Sequence, residues 1–526
     1  VRKYLIEHTH IDLLVDYGLD RVNLFGPGIL LDATWYVLSK NKKDETGIYF
    51  NITANQQEKT KQGSLEQAYD DVIHKRTNNR VYTLPQEKLK IIEGWPFIYW
   101  ISDGFREKFK EKTVNVIASV TEGFKSNNNE KILRHIWEVC KEISAIENYV
   151  FYTKGGKYNK WYGNIWLAIT WLDNGDNQLA NGASLTSKDL YFKEGITYTK
   201  SGSKGPSFRY LPSKLIFDSG SPSIFLSDIH YNLNYLLAFL NSFLGQYVLN
   251  CLNPTVNIQV SDIKRLPIVK PPRLIEENIS ALAGENVFIK KGLNSFRVIE
   301  TAFTNTPILA YSDSSLKDRL IRYFNFENAQ ITQVLLNEAV INQLIFKVYD
   351  LSEVETKMGK PVGKLPVLNV ARKAYQLEHA LEQEIVKKHI ANLEAIEFDA
   401  QQVEAIKSEL RSLYQSNNDL EEFCIRHQVN PINVWYWFKV SKVLPQARVA
   451  EIALEFLADA FRTILIADED GIVPLVGLPG EPRLMDRFEE YCFSKGFTSA
   501  QIMQLDALIG RPVNEYVEHY FFKNFS

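Results

Sequence analysis

The chain has 526 residues, of which 45% are hydrophobic, 12% aromatic and 23% charged. At roughly 150 residues per domain this length predicts about three or four folding units, and the composition excludes wholesale disorder, collagen-like repeats and coiled-coil rods. Lys and Arg number 60 against 63 Asp and Glu, so the net charge is −3 and any nucleic-acid surface must be local.

Cysteine usage and hydropathy indicate the compartment. The four cysteines lie far apart and form neither a CxxC pair nor a disulfide-dense pattern, which favours a reducing cytoplasm. No apolar run approaches the roughly 18 residues that span a bilayer, and no signal-peptide core follows Val1. We therefore expect a cytoplasmic protein with no membrane partner. Because the chain opens on Val as though inside a helix, we also expect it to be a segment of something longer.

Residues 1–112 have the pattern of the end of an α/β sheet. A short helix running into a strand is predicted over residues 4–15, a glycine turn over 25–28, and a buried strand over 29–38, which is rich in β-branched and aromatic residues. A polar helical stretch is predicted over about 56–112. The glycine turn lacks the Lys-Ser/Thr of a P-loop and the GxGxxG spacing, so a plain turn is the better interpretation.

Residues 113–271 change to short strand-like runs broken by Gly, Asn, Ser and Pro, with aromatic residues interleaved. This pattern predicts a mixed α/β domain of irregular sheet and long loops. The prolines of residues 266–272 mark its predicted end, since proline cannot sit inside a helix.

Residues 272–526 are predicted to form a helical C-terminal domain. Apolar residues recur at helical spacing from Leu377 to Ile396 and predict one long amphipathic helix in a bundle. Breaks are expected at Asn430-Pro431, at Leu444-Pro445, and in a loop with Pro474, Pro479 and Pro482 before a last helical pair.

The sequence holds no self-contained catalytic constellation, because a Ser-His-Asp set, a GxSxG elbow and an HExxH helix are all missing. His8 and His10 could be two metal ligands, but nothing nearby supplies a third at metal-site spacing, and alternate residues of a helix face different directions. We expect no catalytic residue and no metal site in this chain.

The stretch 151–215 departs from the overall charge balance. It holds nine Lys or Arg residues against four acidic ones, a local charge of +5, together with twelve aromatic residues and many Asn, Ser and Gly. Cations bind phosphates, amides and hydroxyls read base edges, and glycine lets the backbone approach a groove closely. This chemistry suits a DNA-reading loop surface. The alternative is a solvated face over an aromatic core.

Motifs at the end of this region resemble the close of a target recognition domain in type I specificity subunits and fused methyltransferases. They are Leu240-Asn-Ser242 on a predicted helix, then Asn253-Pro-Thr255, Gln259 and residues 263–268. Residues 121–134 are similar to the opening segment of that domain, with Ser126-Asn-Asn-Asn129 in place of the usual Thr-Gly-Asp-Asn.

Further motifs resemble, more specifically, the PglX-like adenine-N6 DNA methyltransferases of BREX phage-defence systems. The sequence Tyr-Asn-Lys-Trp-Tyr-Gly-Asn at 158–164, Trp171 and residues 191–197 carry this resemblance. Residues 342–351 fit the helical C-terminal region of the same family, and residues 1–52 resemble the helix and hairpin that follow its catalytic motif.

The resemblance implies methylation of adenine with S-adenosylmethionine. In the family a glycine-rich loop binds this cofactor, and an Asn-Pro-Pro-Tyr motif receives a flipped adenine whose amino group attacks the donor methyl. Neither motif occurs here, since Asn253-Pro-Thr and Asn430-Pro-Ile lack the second proline and the aromatic residue. We therefore expect no cofactor-binding residue in this chain, with S-adenosylmethionine bound by an N-terminal half upstream of Val1.

The combined expectation is the tail of a Rossmann-like methyltransferase sheet with a helical insertion (1–112), a target recognition domain (113–271) and a helical C-terminal domain (272–526). Their partner would be double-stranded DNA. The predicted DNA-binding residues are Lys157, Lys160, Trp161, Tyr162, Asn164, Lys200, Ser201, Ser203, Lys204, Arg209 and Gln259. The cations are assigned to phosphates and the amides and hydroxyls to base edges, while Trp161 and Tyr162 fit core packing equally well.

Two alternatives stay open. One is a non-catalytic interaction protein that assembles with other BREX proteins or with a phage inhibitor. The other is a specificity subunit without catalytic function, although such subunits usually carry two recognition domains and the sequence shows one candidate.

Overall fold

The computed structural model describes residues 1–19, 32–40, 46–53, 58–139, 148–351, 362–379, 381–416 and 419–521. The N-terminal region contains α1 (Arg2–His8), β1 (His10–Leu19), β2 (Asp32–Ser39), β3 (Thr46–Asn51), α2 (Glu58–Ile73), β4 (Val81–Pro85) and α3 (Asp103–Glu107). The strands form one sheet in the order β2-β1-β3-β4, in which β1 runs antiparallel to β2 and parallel to β3.

Most of the predicted elements of this region are found. The start as helix and strand is confirmed by α1 and β1, and the strand predicted at 29–38 is confirmed by β2 over its described part. The glycine turn at 25–28 lies outside the described residues. The helical prediction for 56–112 is confirmed at α2 and α3 and is wrong at β4, because Val81–Pro85 has the β-branched and aromatic residues of a strand and pairs with β3.

The central region mixes short strands and short helices, as predicted. Its elements are α4 (Val114–Ile117), β5 (Ala118–Thr121), β6 (Phe124–Lys125), α5 (Asn129–Ile132), β7 (Leu133–His135), α6 (Ile136–Val139), β8 (Tyr149–Thr153), β9 (Leu167–Thr170), α7 (Asp176–Ala180), β10 (Ser184–Leu185), β11 (Gly195–Tyr198), β12 (Phe208–Leu211), β13 (Leu215–Phe217), β14 (Ser223–Leu226), α8 (Leu233–Asn241), α9 (Phe243–Leu252) and α10 (Val260–Lys264). Two four-stranded sheets, β12-β11-β14-β5 and β13-β8-β9-β7, lie beside the small pair β10-β6. These sheets carry the loops in which most of the predicted DNA-binding residues lie.

The C-terminal region is helical. It contains α11 (Arg273–Asn294), α12 (Pro307–Ala310), α13 (Leu316–Val348), α14 (Asn369–Glu378), α15 (Glu384–Ala391), α16 (Ala400–Ser416), α17 (Leu420–His427), α18 (Pro431–Ser441), α19 (Gln446–Ala467), α20 (Leu484–Ser494), α21 (Ser499–Ile509) and α22 (Val513–Tyr516). The helix α13 has 33 residues and is therefore about 50 Å long. Helices begin directly after Pro272, Asn430 and Pro445, at the predicted breaks.

The single long helix predicted from Leu377 to Ile396 is wrong. The chain forms α14 and α15 instead, because it turns extended at His379 and Gln383. Each of the two helices buries apolar residues of its own, so the apolar spacing stays helical on both sides of the break, and periodicity alone does not reveal it.

The central and helical regions share one hydrophobic core. Its buried residues extend from Ile92 to Trp435 and include residues of α8, α9, α11 and α13. A second core joins α12 and the start of α13 to α19–α22, and a third joins α16–α18 to α13. The multi-domain mixed α/β class is confirmed, whereas the change at residue 272 is a change of secondary structure within a continuous core.

A helix that crosses a bilayer must be both long and apolar. Across the described ranges, no individual helix is both long and apolar enough for this. The pair α8 and α9 passes such a test only jointly, with a bend of 68° between the two helices. Most of its residues are buried in the shared core.

Candidate nucleic-acid interface

Two loops of the central region form an exposed ridge, which we call the recognition ridge and define as residues 199–205 and 253–259. Ser201 forms a β-bridge with Asn257. The Gly202 N–H donates to the Val256 carbonyl at 3.1 Å, and the Ile258 N–H donates to the Lys200 carbonyl at 2.9 Å. The two loops are thus joined by backbone hydrogen bonds, although they lie about 50 residues apart in the sequence.

The second loop of the ridge is held by its own side chains. The Asn253 amide donates to the Asn257 carbonyl at 2.9 Å and to the Asp262 carboxylate at 2.6 Å. The Asn253 side-chain oxygen accepts from the Thr255 N–H at 3.0 Å. Asp262 is buried at the start of α10, so it ties the loop to the core. The ridge therefore has a conformation that is fixed before any ligand binds.

The exposed surface of the ridge is mostly polar, and its exposed apolar residues are Pro254 and Val256. Ser201, Ser203, Lys204 and Gln259 are exposed, as a role at a DNA surface requires. Val256, at the tip of the second loop, is 56% exposed. Sequence reasoning noticed this loop only as a family motif and did not predict that it pairs with residues 199–205. No sequence signal other than its turn-forming Asn-Pro-Thr indicates an exposed tip.

Each lysine of the ridge forms an ion pair with an acidic side chain. Lys200 forms an ion pair with Glu122 at 2.5 Å, and Lys204 forms one with Glu422 of α17 at 3.8 Å. Both lysines are partly exposed, so these pairs are screened by water and salt and contribute little to stability. Lys157 is exposed nearby in the loop after β8. Lys157, Lys200 and Lys204 therefore remain accessible cations.

Lys160 and Trp161 dock onto the helical region, which contradicts the phosphate contact predicted for Lys160 and agrees with the alternative that Trp161 packs in the core. The Lys160 ammonium lies 3.2 Å from Glu338 of α13 and 3.3 Å from Glu421 of α17. The Trp161 indole N–H donates to Glu338 at 2.6 Å. Trp161 is fully buried, and only about a tenth of the Lys160 side chain is exposed. We call this set the docking cluster: Lys160, Trp161, Glu338 and Glu421.

The pKa values of the docking cluster follow from burial and close charges. Burial opposes the charge of Lys160, but Glu338 and Glu421 outweigh it and hold the lysine pKa well above its usual value. Burial also raises the pKa of Glu421 to about 7, and Lys160 offsets only part of this, since Glu338 and Asp419 act in the same direction as burial. The cluster is a buried salt bridge with one lysine between two carboxylates.

Asn164 and Arg209 are also buried, contrary to their predicted role at a DNA surface, and Tyr162 is buried in agreement with its alternative assignment to the core. The Arg209 guanidinium donates to Thr199 and to Ser207. The backbone N–H of Asn164 donates to the Glu300 carboxylate at 3.0 Å. These side chains support the loops from beneath and offer almost no surface to a duplex, so we leave Tyr162, Asn164 and Arg209 out of the proposed contact set.

A cleft separates the recognition ridge from the helical region. It consists of two adjoining cavities of about 650 and 640 Å³, both lined by Gly202–Gly205 on one side and by Asp419 and Glu421 on the other. Cavities of this size fit a small ligand. Among the described residues, this cleft is therefore too small for a duplex, and DNA would meet the ridge at its outer, solvent-facing edge.

The two Asn-Pro sequences do not form an adenine pocket. Asn430 is fully buried, caps α18 by accepting from the Ile432 N–H, and donates to the Leu365 carbonyl. The Asn253 amide is used within the ridge. Neither amide is free to bind the amino group of a base. In the part of the chain that the structure covers, no group of three or more His, Cys, Asp or Glu side chains is arranged for a metal ion.

Comparison with known proteins identifies relatives of the chain. No protein-family profile matches it. The adenine-specific methyltransferase PglX of Lacticaseibacillus casei (strain Zhang) is 27% identical over 353 residues, which cover 62% of this chain and 29% of that protein. The adenine-specific methyltransferase BrxX of Escherichia coli O9:H4 (strain HS) is 25% identical over 358 residues, which cover 66% and 28%. The predicted resemblance to PglX-like methyltransferases is confirmed, and the chain spans less than a third of the length of these relatives.

Two solved structures are partly similar to the chain. One is the type IIL restriction-modification enzyme MmeI in complex with DNA, with a TM-score of 0.34 and 9% identity over 73% of this chain and 46% of that one. The other is the type IIG restriction endonuclease BpuSI, with a TM-score of 0.27 and 11% identity over 66% and 45%. Scores this low establish no equivalence between individual residues.

Proposed function

Given its homology to PglX and BrxX, we propose that this chain is the DNA-recognition part of an S-adenosylmethionine-dependent adenine-N6 DNA methyltransferase. Such an enzyme would act in the cytoplasm in a BREX or restriction-modification system of phage defence. The chain itself chooses the site on double-stranded DNA. The cofactor and the flipped adenine are held by residues outside it, because the chain has no Asn-Pro-Pro-Tyr motif and its two Asn-Pro amides are already hydrogen-bonded.

The observation that supports this proposal most is the recognition ridge. It combines a fixed backbone with exposed hydroxyls and an amide at Ser201, Ser203 and Gln259. Lys200 and Lys204 flank the serines, and both keep part of their surface exposed. Side chains of this kind on a rigid loop surface can contact phosphates with their cations and base edges with their polar groups. In this proposal the lysines, with Lys157, hold the backbone, while Ser201, Ser203 and Gln259 read sequence.

The test is the salt dependence of duplex binding. Each phosphate contact lowers the slope of log K against log salt by about 0.9, so Lys200→Ala with Lys204→Ala should make the slope about 1.8 less steep and weaken binding to all sequences. Fluorescence anisotropy with a labelled duplex at several salt concentrations measures this.

The matched control is Lys88→Ala with Lys387→Ala. These two lysines are exposed to a similar degree, and each forms one ion pair, with Asp103 and Glu384 respectively. The control should leave the slope unchanged. Equal slopes for the parent and the ridge variant would remove the two lysines from the interface. A parent chain that binds DNA no better than a protein of matched charge would refute the proposed function.

A further inference from the structure

We propose that the acidic start of α17 is a built-in anionic competitor for DNA at the recognition ridge. This inference rests on the proposed function and concerns its regulation. The start of α17 carries three carboxylates, those of the N-cap residue Asp419 and of Glu421 and Glu422 in the first turn. They face the ridge across the cleft, close enough to its lysines to compete with phosphates that approach from the outer edge.

The contacts of α17 with the loop cations are direct. Glu422 forms an ion pair with Lys204 of the ridge, and Glu421 forms one with Lys160 of the docking cluster. Both lysines belong to the stretch that the sequence predicts as a phosphate-binding surface. A carboxylate within 4 Å of a lysine ammonium lowers the attraction of that lysine for a second anion, because part of its field is already neutralised.

The position of α17 is fixed by apolar packing and not by these ion pairs. Phe423 and Cys424 are fully buried, and with Leu420 they pack in the third core against Leu335 of α13 and Trp437 of α18. The helix therefore holds its acidic turn over the ridge whether or not the ion pairs form. Neutralising the carboxylates should change the charge at the ridge and leave the position of α17 the same.

The crowding of negative charge at this turn is costly to the protein. Glu421 is buried beside Glu338 and Asp419, with Lys160 as its only ion-pair partner among the described residues. Buried ion pairs of this kind are often no more stable than apolar side chains of similar volume. The cost of keeping Glu421 charged is consistent with a role in function, namely to keep binding to DNA of any sequence weak so that base contacts decide where the protein remains bound.

The test uses Glu421→Gln with Glu422→Gln in the full chain, measured by anisotropy against a duplex of arbitrary sequence. Removing the competitor should tighten binding about three- to tenfold at low salt, because no carboxylate then offsets the attraction of Lys204 for the phosphate that it contacts. Glu422→Gln alone should give a smaller change in the same direction. Since Glu422 is exposed, that variant also excludes an effect of misfolding.

The matched control is Glu277→Gln with Glu384→Gln. It makes the same change of net charge at two exposed carboxylates that pair with Arg273 and Lys387, and it should not alter binding. Equal or weaker binding by the α17 variant overturns the inference. If that occurs while Lys200→Ala with Lys204→Ala still flattens the slope, the proposed function stands and only the inference fails. No binding by either the parent or the α17 variant would overturn both proposals.

Discussion

Glu338 holds the loop that carries Lys160 and Trp161 against the helical region. Its carboxylate accepts from the Trp161 indole and pairs with Lys160, and all three groups are largely or fully buried. Glu338→Ala leaves the indole N–H without an acceptor, which costs about 1–3 kcal/mol. It also breaks a buried ion pair, for which about 3–5 kcal/mol is typical. Because Lys160 keeps Glu421 as a partner, we expect a total loss of about 3–5 kcal/mol in the free energy of unfolding.

Glu338→Gln separates the two contributions. The amide oxygen still accepts from the indole, so only the charge opposite Lys160 is lost, and we expect about 1–3 kcal/mol. Urea denaturation followed by tryptophan fluorescence and far-UV circular dichroism measures both variants. Glu107→Ala is the control, since it removes an exposed ion pair with Lys110 and should cost less than about 1 kcal/mol. If Glu338→Ala is no more destabilising than Glu107→Ala, the docking cluster does not hold the loop.

Two further predictions concern Glu421 and Arg209. In the folded chain the pKa of Glu421 is about 7 against an ordinary value of 4.5, so between these pH values the folded state binds a proton that the unfolded state releases. The contribution of this group to stability should therefore fall as pH rises from 4.5 to about 7. Glu421→Gln should flatten the dependence of the urea midpoint on pH. Parallel plots of urea midpoint against pH for the parent and the variant would refute this. Arg209→Met should leave the salt slope of DNA binding unchanged because Arg209 is fully buried, and a decrease near 0.9 would show that its side chain reaches a phosphate.

The sequence predicted secondary structure better than it predicted which charged side chains form ion pairs. The strand of β2, the mixed character of the central region and the proline-marked helix starts follow from residue type and spacing, which act over a few residues. The break between α14 and α15 was missed because each helix keeps a helical pattern of its own. The strand β4 was missed because its five residues, Val81–Pro85, lie within the longer polar stretch that was predicted to be helical.

The candidate site shows the same division. Ser201, Ser203 and Lys204 are exposed, as a Gly- and Ser-rich loop predicts. In the folded chain, however, several of the cations behind the local charge of +5 are paired with acidic side chains from other parts of the sequence. Lys160 meets Glu338 and Glu421, which lie 178 and 261 residues further along the chain. Contacts over such separations are set by the packing of helices, and no local pattern around Lys160 contains them.

The long helix α13 links the parts of this site. It contributes Leu320 to the second core, Val334 and Leu336 to the shared core, and Leu335 to the third core, in which α17 is packed. The recognition ridge is attached to the shared core through α9 and α10. The distance between the ridge cations and the α17 carboxylates is therefore fixed by close-packed side chains, which resist displacement. For this reason we expect charge-neutralising variants at α17 to act on DNA through electrostatics alone, with the effect declining as salt is added, whereas a variant that loosened α13 would alter the ridge, the cleft and the acidic turn together.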